Sequence, residues 1–175
     1  MNNVTTMKTK MMMLILVLGS WGAFAQHDHA GHDQKKTDQA MVMFKDAKLG
    51  KAYEHYTHVK NSLVASDSEK AKNGAIELNK ALKDAKASAA SMEVAAKLAN
   101  TSDLEEQRKL FSTLSNEMAT LVKDGKLSMG MLYLEYCPMA NNNTGAYWLS
   151  NEKEIKNPYF GDKMLKCGSV KEMIH

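Results

Sequence analysis

The chain has 175 residues, of which 44% are hydrophobic and 25% charged, and its formal net charge is +3. Two of the positive charges lie in the first 25 residues, so the rest of the chain carries a net charge of only +1. No basic stripe with interleaved aromatic residues is present, which argues against nucleic-acid binding. The residues that follow position 25 are enough for one domain with a hydrophobic core.

The first 25 residues have the pattern of a secretory signal peptide. Lys8 and Lys10 precede a short apolar run, Met11–Leu18, and small residues stand at Ala23 and Ala25. A basic segment, a short apolar run and small residues before a cleavage point are typical of an export signal. We therefore predict cleavage after Ala25 and a periplasmic or secreted location. No later apolar run is long enough to cross a membrane.

Residues 26–40 form a polar segment with almost no side chains that could enter a core. Such a composition predicts a disordered tail. Its three histidines, His27, His29 and His32, could bind a metal ion weakly. The alternative is a solvated tail without a metal.

Residues 41–124 are predicted to be a helix bundle. In each of several segments, apolar residues recur at spacings of three and four, as they do on one face of a helix. The apolar stripe of the first helix consists of Leu49, Ala52, Tyr56, Val59 and Leu63. The predicted helices run from about Phe44 to Ala65, from a capping box at Ser66 and Glu69, over residues 88–99, and from a second capping box at Ser102 and Glu105 to near Gly125. This pattern predicts a mainly α fold, an antiparallel bundle of about four helices.

Residues 125–175 have a different character. Both prolines, both cysteines and Trp148 lie there, together with turn-rich stretches. Met129–Tyr136 reads as a short strand or an extended segment. This part is too short and too broken to fold alone, so we predict an irregular segment packed on the bundle, within a single domain of residues 41–175.

The two cysteines each have a methionine close by, in the words EYCPMA and MLKCG. Proline biases Cys137 toward an extended backbone, where residues two apart, such as Cys137 and Met139, point to one side. Met164 and Cys167 are three apart, which places them on one face of a helical turn. Two thiolates and two thioethers would favour Cu(I), with Ag(I) as its chemical relative. His55 or His58 could add an imidazole.

Other interpretations of these residues stay open. Met139 and Met164 could simply fill gaps in the core, and His55 and His58 could be ordinary polar residues of a helix. In an exported protein, Cys137 and Cys167 could form a disulfide, which would stabilise the fold by on the order of 3 kcal/mol. They are not in a CxxC motif, which disfavours a thiol redox protein. No nucleophile motif or paired carboxylates indicate an enzyme, so we expect none.

Three sequence motifs resemble those of a known family. They are LEEQRKLFSTLS at Leu104–Ser115, YCPMANNNTGAYWLS at Tyr136–Ser150 and EIKNPYFGDKMLKCGSV at Glu154–Val170. Together they resemble the uncharacterised bacterial DUF3347-type domain family. That family occurs as small exported proteins and as extensions of the periplasmic adaptor subunits of copper and silver efflux pumps.

The resemblance implies a metal-related role. The family's motifs include the four candidate sulfur ligands, Cys137, Met139, Met164 and Cys167. The resemblance also leads us to expect that Trp148 and Tyr147 shield these sulfurs from water. The predicted function is an exported protein that binds Cu(I) in copper handling, tolerance or efflux. Its expected partners are the copper ion and a periplasmic efflux adaptor or a metallochaperone. The alternative is a protein-interaction module of a heavy-metal efflux system, with a structural Cys137–Cys167 disulfide and no metal.

Overall fold

A computed structural model describes residues 41–175. Four long helices follow one another in the chain: α1 (Ala47–Val64), α2 (Ser68–Asp84), α3 (Ala89–Ala99) and α4 (Leu104–Gly125). Each packs against the next, and α4 also contacts α1. The connections are only a few residues long, as expected for antiparallel neighbours. The predicted mainly α bundle of four helices is confirmed. The predicted signal peptide and tail lie outside the described residues.

An acidic or hydroxyl side chain caps the start of each of these helices, and two of the caps correct the prediction. Asp67, not Ser66, begins α2, since its carboxylate accepts from the Lys70 N–H at 2.9 Å. Asp103, not Ser102, begins α4, and accepts from the Glu106 N–H at 2.7 Å. The adjacent carboxylate also interacts favourably with the positive end of the helix dipole, which a serine hydroxyl does not.

The core lies between the helices, where the predicted α1 stripe meets apolar residues of α2 and α4. All five residues of that stripe are buried. They pack in one cluster with Leu78, Leu82, Phe111, Leu114 and Met118. None of the helices within residues 41–175 is long and apolar enough to cross a membrane.

The C-terminal part contains more regular structure than predicted. Two short strands, β1 (Met43–Phe44) and β2 (Leu127–Met129), pair antiparallel. A second antiparallel sheet has the order β4-β3-β5, with β3 at Leu132–Cys137, β4 at Ala146–Ser150 and β5 at Ser169–Ile174. The helical turn α5 (Ala140–Asn143) and a 3₁₀ turn (Gly161–Lys163) lie in the connections. The segment packs on the bundle as predicted, mainly through β4 and α4.

Two tyrosine hydroxyls form hydrogen bonds with backbone groups at the free edge of β4. The Leu149 N–H donates to the Tyr56 hydroxyl at 3.0 Å, and that hydroxyl also bonds to Ser115 Oγ at 2.8 Å. The Tyr159 hydroxyl donates to the Tyr147 carbonyl at 2.5 Å. An edge strand needs partners for its unpaired backbone groups, so these two buried tyrosines tie the small sheet to the bundle.

Arg108 of α4 makes a second connection between the bundle and the C-terminal part. Its guanidinium donates to the Pro158 carbonyl at 3.0 Å, to the Leu63 carbonyl at 3.2 Å and to Ser66 Oγ at 3.0 Å. One side chain thus joins α4, the end of α1 and the loop that leads to the second cysteine.

Candidate metal centre

The fold brings the two cysteines into contact. Cys137 ends β3, and Cys167 lies two residues before β5. These strands are neighbours, and Tyr136 is paired with Ser169, so the segments that carry the cysteines meet at one end of the sheet. The two Sγ atoms are 2.9 Å apart. Cys137 is fully buried and Cys167 is half-buried, so a ligand can reach the pair from the Cys167 side.

Asn157 holds the backbone on which Cys167 lies. Its side-chain amide donates to the Cys167 carbonyl at 2.8 Å, and its own N–H donates to the Leu165 carbonyl at 2.8 Å. The Asn157 Oδ1 atom accepts from the Tyr159 N–H at 2.8 Å. Asn157 is fully buried, so these hydrogen bonds are protected from water. They hold in place the loop of residues 157–167, which ends at Cys167.

Trp148 covers the segment beside Cys167. A Cβ at Gly168, where φ is +144°, would lie 2.8 Å from Cη2 of the indole, so only glycine permits this approach. Trp148 is fully buried and meets Tyr159 edge to face, at 5.9 Å between centroids. This position suits the shielding expected of Trp148. Tyr147 is the next residue along the strand, so it lies on the other face of the sheet. Its ring packs against that of Tyr136 at a tilt of 42°, with 4.6 Å between the centroids.

The thiol of Cys167 is weakly acidic. Its hydrogen bond to Cys137, with a smaller effect of burial, raises the pKa of Cys167 to about 11. The pair therefore holds the Cys167 proton at neutral pH. An ion that binds both sulfurs as thiolates must displace that proton, which selects for thiophilic metals.

Met139 does not follow the geometry predicted for it. Its backbone is helical, with φ −87° and ψ −11°, because the chain turns directly after Cys137. The rule that places residues two apart on one side of a strand therefore does not apply here. Met139 is 44% exposed and lines a cavity beside the start of α4 that neither cysteine lines.

Met164 is joined to Cys167 by a backbone hydrogen bond. The Cys167 N–H donates to the Met164 carbonyl at 3.0 Å, so a β-turn, rather than the helical turn predicted, separates the two residues. Met164 is half-buried, with φ −149° and ψ 50°. The two residues stay near neighbours despite the change of backbone.

The candidate histidines lie elsewhere. His55 and His58 line a cavity between α1 and α2, of which neither cysteine forms part. The His58 ring packs on Gly74, where an added Cβ would come within 2.7 Å of Cδ2. His27, His29 and His32 lie outside the described residues. Within residues 41–175, no three side chains of His, Cys, Asp or Glu gather in a cluster that could hold a metal ion.

Glu135 is a residue that the sequence reasoning missed. It is fully buried, lies two residues before Cys137 on the same face of β3, and is paired with Trp148 across the sheet. Burial raises the pKa of Glu135 to about 8, against the opposing effect of the buried Lys60. Burial in turn lowers the pKa of Lys60, whose ammonium donates to Ser150 Oγ at 3.4 Å. The period-two pattern of the strand LYLEYC could have placed Glu135 beside Cys137.

Comparison with known proteins finds a match that covers most of the helical part. Residues 52–130 match the model of a family described as "Protein of unknown function (DUF3347)". The match supports the resemblance from α1 to β2 and ends before both cysteines. No curated protein and no solved structure is significantly similar to the chain.

Proposed function

We propose that the protein binds one Cu(I) ion through Cys137 and Cys167 and serves in copper handling, tolerance or efflux outside the cytoplasm. The observation that carries the proposal is the contact between two thiols that are 30 positions apart in the chain, with their sulfurs 2.9 Å apart. Paired thiols with one accessible member suit a soft ion delivered from outside the fold. The same ligand set would accept Ag(I).

A small movement would be enough to admit the ion. With a metal–sulfur distance of about 2.3 Å, two sulfurs on one tetrahedral ion lie roughly 3.8 Å apart. The sulfurs therefore need to separate by about 1 Å from their present 2.9 Å. Cys167 can make that movement, because it lies half-buried at the end of a β-turn, whereas Cys137 is fixed in β3.

Thioethers complete the proposed site. Met164 begins the β-turn that ends at Cys167, and its carbonyl accepts from the Cys167 N–H, so it is the first candidate donor. Met139 lines the cavity beside the start of α4 in this structure, so it would join the site only by rotation of its exposed side chain, which has three rotatable bonds. His55 and His58, which belong to the other cavity, are not part of this proposal.

The test is competition for Cu(I) against a chelator under anaerobic, reducing conditions. The wild type should retain one ion more than the variant that combines Cys137→Ser with Cys167→Ser. Met92→Leu, on α3, serves as a matched control that should bind like the wild type. Melting curves of each metal-free variant would confirm that the fold is kept. Equal competition by the wild type and the double variant would refute the thiolate site.

A second candidate function is an interaction module with a structural disulfide and no metal. The observation in its favour is the same: the sulfurs are in contact and one cysteine is wholly buried. The export that we propose would place them in an oxidising compartment, where paired cysteines usually form a disulfide. Alkylation of thiols in protein taken directly from its own compartment separates the two. Free thiols there support the copper site, while a fully oxidised pair supports the module. In either case we propose a periplasmic efflux adaptor or a metallochaperone as partner.

A further inference from the structure

We propose a second soft-metal site, built only from thioethers, on the ribbon formed by β1 and β2. The sequence has two Met-x-Met motifs there, Met41-Val42-Met43 and Met129-Gly130-Met131. Met43 and Met129 are paired directly across the ribbon. Met41, Met43 and Met129 are 72%, 47% and 57% exposed. We call these three residues the methionine face.

Burial alternates along residues 41–44, which places two methionines outward. Val42 and Phe44 pack against the core, and Met41 and Met43 are exposed. Residues two apart in an extended chain share a side. The inward residues therefore anchor the segment, and the outward side of the same three-residue stretch presents two thioethers.

A bulge turns the third methionine to the same side. The core residues Phe44 and Leu127 are paired, and the next pair is Met43 with Met129, so Ser128 is an extra residue. In a regular register Ser128 would be opposite Met43, and Met129 would share the inward side with Val42. A bulge re-aims the side chain that follows it, and here it places a third thioether opposite Met43.

Gly130 keeps the two motifs in contact. Its φ is +86°, and an added Cβ would lie 2.3 Å from the Met41 carbonyl oxygen and 3.1 Å from the Val42 Cα. A side chain at this position would push the strands apart. The glycine between two methionines thus allows the Met41–Met43 segment to lie directly against Met129.

The chemistry of the methionine face fits a soft monovalent ion. Residues directly opposite on paired strands have Cβ atoms roughly 5 Å apart, and a methionine side chain is long and flexible enough to converge on a shared ion. Thioethers carry no proton and favour Cu(I) and its relative Ag(I). Single exposed apolar residues need no explanation, but three on one side of a short ribbon are clustered.

The methionine face is separate from the cysteine pair. Met131, which adjoins it, precedes Cys137 by six residues along an extended strand, a distance of about 20 Å. One ion cannot bridge the two sites. The inference therefore shares only the class of metal with the proposed function and can fail or succeed without it.

The test uses Ag(I) and the purified protein with Cys137→Ser and Cys167→Ser, which removes the thiolate site. Methyl-labelled methionine reports binding by NMR, and residues 26–40 contain no methionine that could confuse the signal. The methyl signals of Met41, Met43 and Met129 should shift together and saturate with one ion. Met43→Leu or Met129→Leu should weaken binding by about tenfold or more, since each removes one donor. Met92→Leu should not weaken it.

Each outcome has one meaning for this site. Shifts confined to other methionines, or equal affinity after Met43→Leu and Met129→Leu, would overturn it while leaving the cysteine proposal intact. If instead the Cys→Ser variant binds as many ions as the wild type, and the methionine substitutions abolish that binding, the methionine face stands and the cysteine proposal fails. Melting curves of the metal-free variants control for loss of fold.

Discussion

Closing the Cys137–Cys167 pair into a disulfide should raise the free energy of unfolding by about 3.6 kcal/mol at 25 °C. The value follows from the loop-entropy relation, with the 30 positions that separate the two cysteines. The sulfurs already touch, so the strand and the β-turn need little movement to form the bond. For a domain of this size, roughly 3–5 °C of melting temperature corresponds to each kcal/mol, which predicts a rise of about 11–18 °C.

The same oxidation should abolish Cu(I) binding at the pair, because a disulfide offers no thiolate. The assay is a set of melting curves for oxidised protein, reduced protein, and each with Cu(I). Reduced protein should gain stability from copper, by about 4 kcal/mol when free copper is a thousandfold above the dissociation constant. Oxidised protein should gain far less. The Cys137→Ser, Cys167→Ser variant is the control that has neither bond nor thiolates.

Two results would refute this reasoning. If mild oxidants leave both thiols free in the folded protein, the contact between the sulfurs is not the one the structure describes. If oxidised and reduced protein gain equal stability from copper, Cys137 and Cys167 are not the ligands, and the structural disulfide becomes the better account of the pair.

Three further predictions follow from the site and its surroundings. Met139→Leu and Met164→Leu should each leave the melting temperature of the metal-free protein near that of the wild type, since the exchange conserves volume. Each should weaken Cu(I) binding, because leucine offers no sulfur. If copper stabilises these variants as much as the wild type, both methionines are packing residues. Burial raises the pKa of the Glu135 carboxyl from its ordinary 4.5 to about 8 in the folded protein. The stability that the protonated carboxyl contributes is therefore complete below pH 4.5 and is lost as the pH rises to 8, by on the order of 5 kcal/mol. Glu135→Gln should remove that loss in urea unfolding of the reduced protein, and an unchanged pH profile would contradict the assignment. Deletion of residues 26–39 should leave the helical circular dichroism intact, since so polar a segment cannot join a core; a loss of helix would show that the tail is structural.

The structure shows which features were readable from local pattern. The α1 stripe from Leu49 to Leu63 is buried as predicted, because a helix repeats its faces every three to four residues and needs no distant information. The N-cap residues of the helices were harder to predict from the sequence. Ser66 and Asp67 are adjacent, both can cap a helix, and the choice depended on which side chain the folded turn aimed at the Lys70 N–H.

Sequence by itself determined the helices and the residue types of the candidate ligands, because both are properties of short segments. Tertiary structure alone decided which of them meet. The register of β3 against β5 brings Cys137 to Cys167, and the turn after β3 directs Met139 to another cavity. In the ribbon formed by β1 and β2, the bulge at Ser128 brings Met129 opposite Met43. Strand pairing joins positions far apart in the chain, and a change of one residue in register reverses the side to which each side chain points.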